Sequence, residues 1–304
     1  MLVMDGQAGD AVRYCGRSFT TSDLAAIRTL VAQPQRYPSR AAIAREMCRV
    51  FEWVRIDGRG KEMSARLALV RMERDGLISL PPPRHRTNNS GRCRPAAGAV
   101  PSQLPVSGSR EGLPELRLVA VTTRADSRVW NEMMARHHYL GYQPLPGAQM
   151  RYLIVSGGML LGGLGFGAAA WKIAPRDKFI GWTPGQREAR LHLVVNNARF
   201  LLLPWVTVKN LASSVLALAA RRIPDDWAGR YAYRPVLLET FVQQDRFAGT
   251  CYRAANWVHV GATQGRGKLD RYNLFGKPIK DIYLFPLHRN FRQLLTEPDQ
   301  AGVR

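Results

Sequence analysis

Val236-Leu-Leu-Glu-Thr-Phe-Val242, followed by Gly249-Thr-Cys-Tyr-Arg-Ala-Ala-Asn-Trp-Val-His-Val-Gly261, decides the fold of the larger part of this chain. The first run is apolar and broken by a single carboxylate, the pattern of a strand covered on both faces. A Gly-Thr entry then opens a short helix over residues 250–256, and Val258-His-Val-Gly261 returns as a strand. Downstream, Ile282-Tyr-Leu-Phe285 adds another strand. Upstream, Leu116 to Thr123 alternates as a strand and residues 127–139 read as a helix. Arg151–Val155 and Met159–Ala168 form a hairpin about Gly157-Gly158. An irregular stretch with Trp171 and Trp182 leads to an extended segment over 191–203. A helix over 208–222 follows, with Leu211, Val215, Leu218 and Ala219 on one face. The order strand, helix, hairpin, strand, helix, strand, short helix, strand is a mixed α/β arrangement, and no repeat period is visible.

The N-terminal part has a different rhythm. Three helices are predicted, near 21–33, 39–52 and 61–75: Asp23 lies in the first turn of one, Ser39 caps the next, and Gly76 ends the third. In the third, Met63, Leu67 and Val70 make the expected buried face. Leu77-Ile-Ser-Leu80 reads as a short terminal strand. Three helices and a strand resemble a winged helix-turn-helix, in which Arg59, Lys61, Arg66, Arg71 and Arg74 would contact DNA from the third helix. A solvated accessory bundle is the plainer reading of the same arginines. Residues 81–113, rich in Pro, Gly and Ser, read as an exposed linker, giving domains over 1–80 and 114–295 and a tail over 296–304.

The 304 residues are 46% hydrophobic, enough for a real core, and carry 44 Lys plus Arg against 23 Asp plus Glu, a net +21. Residues 1–95 hold +8 of that and the remainder +13, so both parts suit the same polyanion. Cys15, Cys48, Cys93 and Cys251 form no CxxC pair, which points away from a zinc site or disulfide framework and toward a reducing compartment. No basic leader or membrane-length apolar run is present, and a soluble cytoplasmic protein is expected.

The strand–helix–strand of residues 237–261 is similar to the closing part of the N-acetyltransferase-like fold. The fold class is therefore α/β, with a winged-helix-like helical domain joined to an acetyltransferase-like domain. That resemblance implies a glycine-rich loop for the cofactor's pyrophosphate at the start of the central helix. Leu203-Pro-Trp-Val-Thr-Val-Lys-Asn-Leu-Ala212 has no glycine, so acetyl-CoA is not expected and no cofactor is. Lys209 and Asn210 remain candidates for meeting an anion there.

The chain as a whole resembles a bacterial family that includes the Druantia anti-phage protein DruA and homologues near or within transposable elements. His138-Tyr-Leu-Gly-Tyr142, Ile180-Gly-Trp182, Asn196-Asn-Ala-Arg-Phe-Leu201, Lys209-Asn-Leu-Ala-Ser213, Leu238-Glu-Thr-Phe-Val242, Gly249 to Trp257, Gly265-Arg-Gly267 and Gly76 to Arg84 carry it. The resemblance implies a place in anti-phage defence or mobile-element biology, with a helicase or transposase as partner.

Glu239 interrupts an apolar strand, so it must be paired with an arginine or face a cleft. Tyr252 sits where the similar fold keeps a proton donor. Together with His137 or His138, these residues form the catalytic set of an alternative reading, a DNA-processing enzyme that would call for Mg2+. No metal ligand set is identifiable. Arg221, Arg222, Arg253, Arg266 and Lys268, interleaved with aromatic residues, have the composition of a nucleic-acid groove for duplex or single-stranded DNA.

Overall fold

The computed structural model describes residues 11–83, 98, 100, 104–265 and 276–297. They fall into two compact units that divide between residues 91 and 92.

The first unit opens with a hairpin, β1 (Val12–Tyr14) and β2 (Arg17–Phe19), that sequence periodicity misses. Its two-residue turn, Cys15-Gly16, has both residues at positive φ, the conformation that suits right-twisted strands. Helix α1 (Thr21–Val31) starts in a capping box between Thr20 and Asp23, and α2 (Arg40–Val50) is capped by Ser39. Helix α3 (Glu62–Arg74) ends before Gly76, whose φ is +75°. Phe19, Ile27, Ile43, Met47, Leu69 and Met72 form the solvent-free centre.

Two expectations fail in this unit. Helix α3 buries Ala65, Ala68, Leu69 and Met72, and leaves Met63, Leu67 and Val70 on the surface. Both stripes have helical period. The buried one carries the alanines, which let α3 approach α2 closely beside the equally buried Ala44. Nor do residues 77–80 form a strand. Leu77 N–H donates to Met72 O, Leu80 N–H to the Glu73 carboxylate, and the Leu77 and Pro81 carbonyls accept from the Arg28 and Arg40 guanidinium groups. Side chains do the work of a ladder, and no wing follows α3 among the described residues.

The second unit is built on one mixed sheet. Its strands are β4 (Leu116–Ala120), β5 (Met150–Ser156), β6 (Met159–Ala168), β7 (Val194–Leu202), β9 (Leu237–Gln243), β10 (Val258–Ala262) and β11 (Lys280–Pro286), lying in the order β10-β11-β9-β7-β6-β5-β4. Every neighbouring pair is antiparallel except β7–β9. Helices α4 (Arg124–His137) and α7 (Leu211–Tyr231) cover one face through Trp130, Met133, Val215 and Trp227. The other face is covered by α5 (Ala174–Ile180) and α9 (Phe291–Thr296), while α6 (Pro184–Arg190) and α8 (Thr250–Ala254) are further short helices. Gly162 is required where β6 meets β7, since a Cβ there would stand 2.0 Å from Leu201 O.

Strand β3 (Val106–Ser109) pairs in parallel with β8 (Val206–Lys209), and Val106 belongs to the core. The latter part of the expected 81–113 linker is therefore part of the α/β unit, whereas residues 84–97 lie outside the described residues. Helix α7 also continues past Pro224 to Tyr231, beyond the residue 222 expected from periodicity. Among the described residues, no helix is long and apolar enough to cross a membrane.

Pairing of β7 with β9 covers only Val194–Asn196 against Leu237–Glu239. At the last paired position, Glu239 turns to the α5 face and is fully buried. It accepts the Ala170 N–H and a guanidinium hydrogen of the equally buried Arg176, each at 2.8 Å. Arg176 also donates to Ala170 O and to the Asp177 carboxylate.

Two stability measurements check this packing. Leu69→Ala is expected to cost about 2–5 kcal/mol in urea unfolding, against less than about 0.5 kcal/mol for Leu67→Ala. The reverse order would restore the face read from periodicity. Arg176→Met, which strands a buried carboxylate, is expected to cost about 3–5 kcal/mol, and adding Glu239→Leu to recover part of it.

Candidate functional site

Beyond Asn196 and Glu239 the two parallel strands are no longer paired, and a cavity of about 460 Å³ lies beside the gap. Asn197 to Phe200 of β7 and Thr240 to Val242 of β9 line it. The wall is completed by His138 to Leu140 after α4, residues 246–252 leading into α8, and Lys280 at the start of β11. Side chains take over where the ladder stops. Thr240 Oγ1 donates to Asn197 O at 3.0 Å, and the Tyr252 hydroxyl donates to Asn197 Oδ1 at 2.9 Å. Gly249, at φ +67°, brings the chain against Tyr283, where a Cβ would meet the phenol oxygen at 2.4 Å.

Arg199, Arg246 and Lys280 line the cavity together with no Asp or Glu. Burial lowers the Arg199 guanidinium and the Lys280 ammonium from their ordinary values, and Arg199 adds to the effect on Lys280. Arg199 donates to Ala198 O at 2.7 Å, but its Nε is buried without a partner among the described residues, as is Asn196 Oδ1. Unpartnered buried polar atoms cost free energy that a ligand or water would recover. At the rim Arg246 stands 5.4 Å over the Tyr139 ring, and half-exposed Phe247 meets the same ring edge-on.

The expected catalytic set does not assemble. Glu239 faces the opposite side of the sheet from Thr240 and the cavity, closed into its pair with Arg176. Tyr252 is a wall residue, packed against Trp257 and stacked on Tyr283, with burial pushing its hydroxyl well above the ordinary phenol value. His138 caps α4, is buried and lines the cavity, whereas His137 packs edge-on against Trp205 and does not. Adjacent helical side chains diverge. His138 Nδ1 accepts the Leu140 N–H, which leaves the neutral ring's proton on Nε2. Among the described residues no group of three or more His, Cys, Asp and Glu side chains is placed to hold a metal ion.

The expected nucleic-acid contacts scatter. Arg59, Lys61, Arg66, Arg71 and Arg74 are exposed on or before α3 of the first unit, with Arg66 near Glu62 and Arg74 paired to Asp75. Lys209 and Asn210 are exposed before α7, Asn210 as its left-handed cap. Arg221 is exposed. Arg222 is committed to Asp226, to Leu118 O and to the Tyr152 ring, so it is structural. Exposed Arg253 donates to the Tyr283 hydroxyl. Arg266 and Lys268 lie outside the described residues. Arg199, Arg246 and Lys280 escaped sequence reading because nothing local marks them: they come from three strands or strand ends and meet only through the fold. The one signal was Arg199 inside Asn196-Asn-Ala-Arg-Phe, a polar break in an apolar strand.

The family described as Druantia protein DruA matches over residues 71–278. No curated protein matches the chain. The α/β unit has GNAT-like structural neighbours. An acetyltransferase of the GNAT family from Streptococcus pneumoniae is 14% identical, covering 46% of this chain and 67% of that one with a TM-score of 0.30. An N-acetyltransferase from Staphylococcus aureus Mu50 is 15% identical, covering 55% and 79% with a TM-score of 0.31. Mycobacterium smegmatis RimJ in complex with CoA-disulfide is 11% identical, covering 57% and 86% with a TM-score of 0.35.

His138 gives the cavity a pH signature. Burial and the nearby Arg199 lower its imidazole from 6.5 to about 4. As pH falls through 6.5 the unfolded chain takes up this proton and the folded one does not. Stability is therefore lost between pH 6.5 and 4, by up to about 3 kcal/mol. Urea midpoints are expected to fall over this window and His138→Gln to flatten the decline. An NMR titration in which the ring protonates above pH 6 would overturn the assignment.

Proposed function

The chain belongs to the Druantia protein DruA family, and from that premise we propose that it is a DNA-binding protein of anti-phage defence or mobile-element type. The observation that carries the reading is the cavity beside the parted strands, lined by Arg199, Arg246 and Lys280 and by no carboxylate. Arg199 and Lys280 are partly buried and repel one another, and an anion relieves that cost, with exposed Arg246 at the rim adding a third positive group. Phosphates of a polynucleotide are such anions, and the net charge of +21 supplies long-range attraction to them.

Helix α3 supports the same reading from the first unit. Its surface stripe of Met63, Arg66, Leu67, Val70, Arg71 and Arg74 combines guanidinium groups with apolar side chains. That composition suits phosphates together with thymine methyl groups in a major groove.

Binding is favoured over strand cleavage and over acyl transfer. The Tyr252 hydroxyl donates a hydrogen bond to Asn197 Oδ1 and has no carboxylate beside it among the described residues, since Glu239 is closed off on the other face. Residues 203–212 form a turn, β8 and the start of α7, with bulky Trp205 and Val206 in place of a glycine-rich phosphate loop. A helicase or transposase would act on the DNA that this protein holds.

Anisotropy of a labelled 30-nucleotide strand and its duplex, read between 50 and 300 mM salt, tests the proposal. Affinity is expected to fall steeply with salt, and the Arg199→Gln/Arg246→Gln/Lys280→Met variant to bind the single strand about 10–100-fold more weakly. Its salt slope should be shallower by roughly 2. No complex at low salt, or an unchanged slope in the variant, would reject it.

A further inference from the structure

We propose that the cavity beside the parted strands takes one unpaired nucleotide, its phosphate on Arg199 and Lys280 and its base against Phe247 and Tyr139. This deepens the DNA-binding reading and rests on it. Three observations set the size and chemistry of the occupant. The cavity holds about 460 Å³, within the roughly 300–1,000 Å³ of small-ligand sites. A duplex cannot enter such a space, while a nucleotide extruded from a duplex or carried on a single strand can.

The charges fall on one part of the wall. Lys280 and Arg199 stand close enough that the guanidinium depresses the ammonium, and the cavity they both line has no Asp or Glu among its residues. A phosphate oxygen gives Arg199 Nε the acceptor that it lacks. A purely apolar or acyl occupant would leave both cations uncompensated.

The aromatic groups fall at the mouth. Phe247 is 48% exposed, unusual for a ring at the edge of a cavity, and meets Tyr139 at 5.2 Å between centroids. An unstacked base laid on Phe247 recovers the stacking it loses on leaving a duplex, and Arg246 over Tyr139 extends that platform. Further in, Asn197, Thr240 and neutral His138 offer donors and acceptors of the kind that read a base edge.

Calorimetric titration of the full-length chain with dAMP, dCMP, dGMP and dTMP, the matching nucleosides, inorganic phosphate and acetyl-CoA tests this. At least one deoxynucleoside monophosphate is expected to bind, about tenfold or more tighter than its nucleoside and than inorganic phosphate, and to compete with the 30-nucleotide strand. Lys280→Met and Arg199→Gln should each weaken it about tenfold. Phe247→Ala, at an exposed position outside the core, should weaken the nucleotide about tenfold and leave inorganic phosphate unchanged. The inference is overturned if phosphate binds as well as the nucleotides, if acetyl-CoA binds more tightly and displaces them, or if folded Lys280→Met and Phe247→Ala bind as wild type does. Oligonucleotide binding without mononucleotide binding defeats this inference alone, whereas loss of both defeats the DNA-binding reading as well.

Discussion

The parallel pairing of β7 with β9 holds for three residues and then ends, and the functional geometry of the α/β unit follows from that ending. A parallel ladder that stops inside a sheet leaves backbone groups without partners, which must be satisfied some other way. Thr240 meets the need on the cavity side by donating to the Asn197 carbonyl, and Tyr252 holds the Asn197 side chain by donating to its Oδ1. On the far side, Glu239 at the last paired position ties the end of β6 and the start of α5 together through Ala170 and Arg176. The fork is thus braced on both faces, by neutral hydrogen bonds toward the cavity and by a buried ion pair away from it.

That division explains why the carboxylate drawing most attention in the sequence is not in the site. Glu239 breaks an apolar strand, and an apolar strand places alternate residues on opposite faces. Which face carries a ligand is not encoded in the strand itself. It depends on Arg176, sixty-three residues earlier in a segment with no clear periodicity, folding as α5 to lie over Glu239. The short helix that carries Tyr252, by contrast, was legible because its Gly-Thr entry and the flanking strands are local signals. The succession of strands along the chain was legible for the same reason. Helices α5, α6 and α9, each seven residues or fewer, were not, since so short a run cannot show a 3.6-residue period.

The first unit teaches a related lesson about helices. Helix α3 has two apolar stripes, and size alone favours Met63, Leu67 and Val70 for the interior. The fold uses the smaller stripe, because Ala65 and Ala68 let two helices meet closely and Leu69 and Met72 fill the remaining space. The arginines beside the larger stripe were placed on the surface in either reading, so the charge pattern survived an error in packing. The strand expected after α3 did not survive, because Glu73, Arg28 and Arg40 satisfy the backbone of residues 77–81 from the side.

Charge distribution, finally, connects fold and function more tightly than net charge does. The chain has 23 acidic residues against 44 basic ones, so carboxylates are scarce and their placement decides where positive potential is left uncompensated. Several are engaged within the framework. Asp281, the neighbour of Lys280, turns to His259 and Gln244; Asp177 and Glu239 are taken by Arg176; Asp226 holds Arg222 and the Tyr152 hydroxyl. Each of these carboxylates is engaged within the framework, and none of them lines the cavity that Arg199, Arg246 and Lys280 share. A braced fork in a sheet thus leaves arginine and lysine side chains on a cavity wall with no carboxylate among the lining residues.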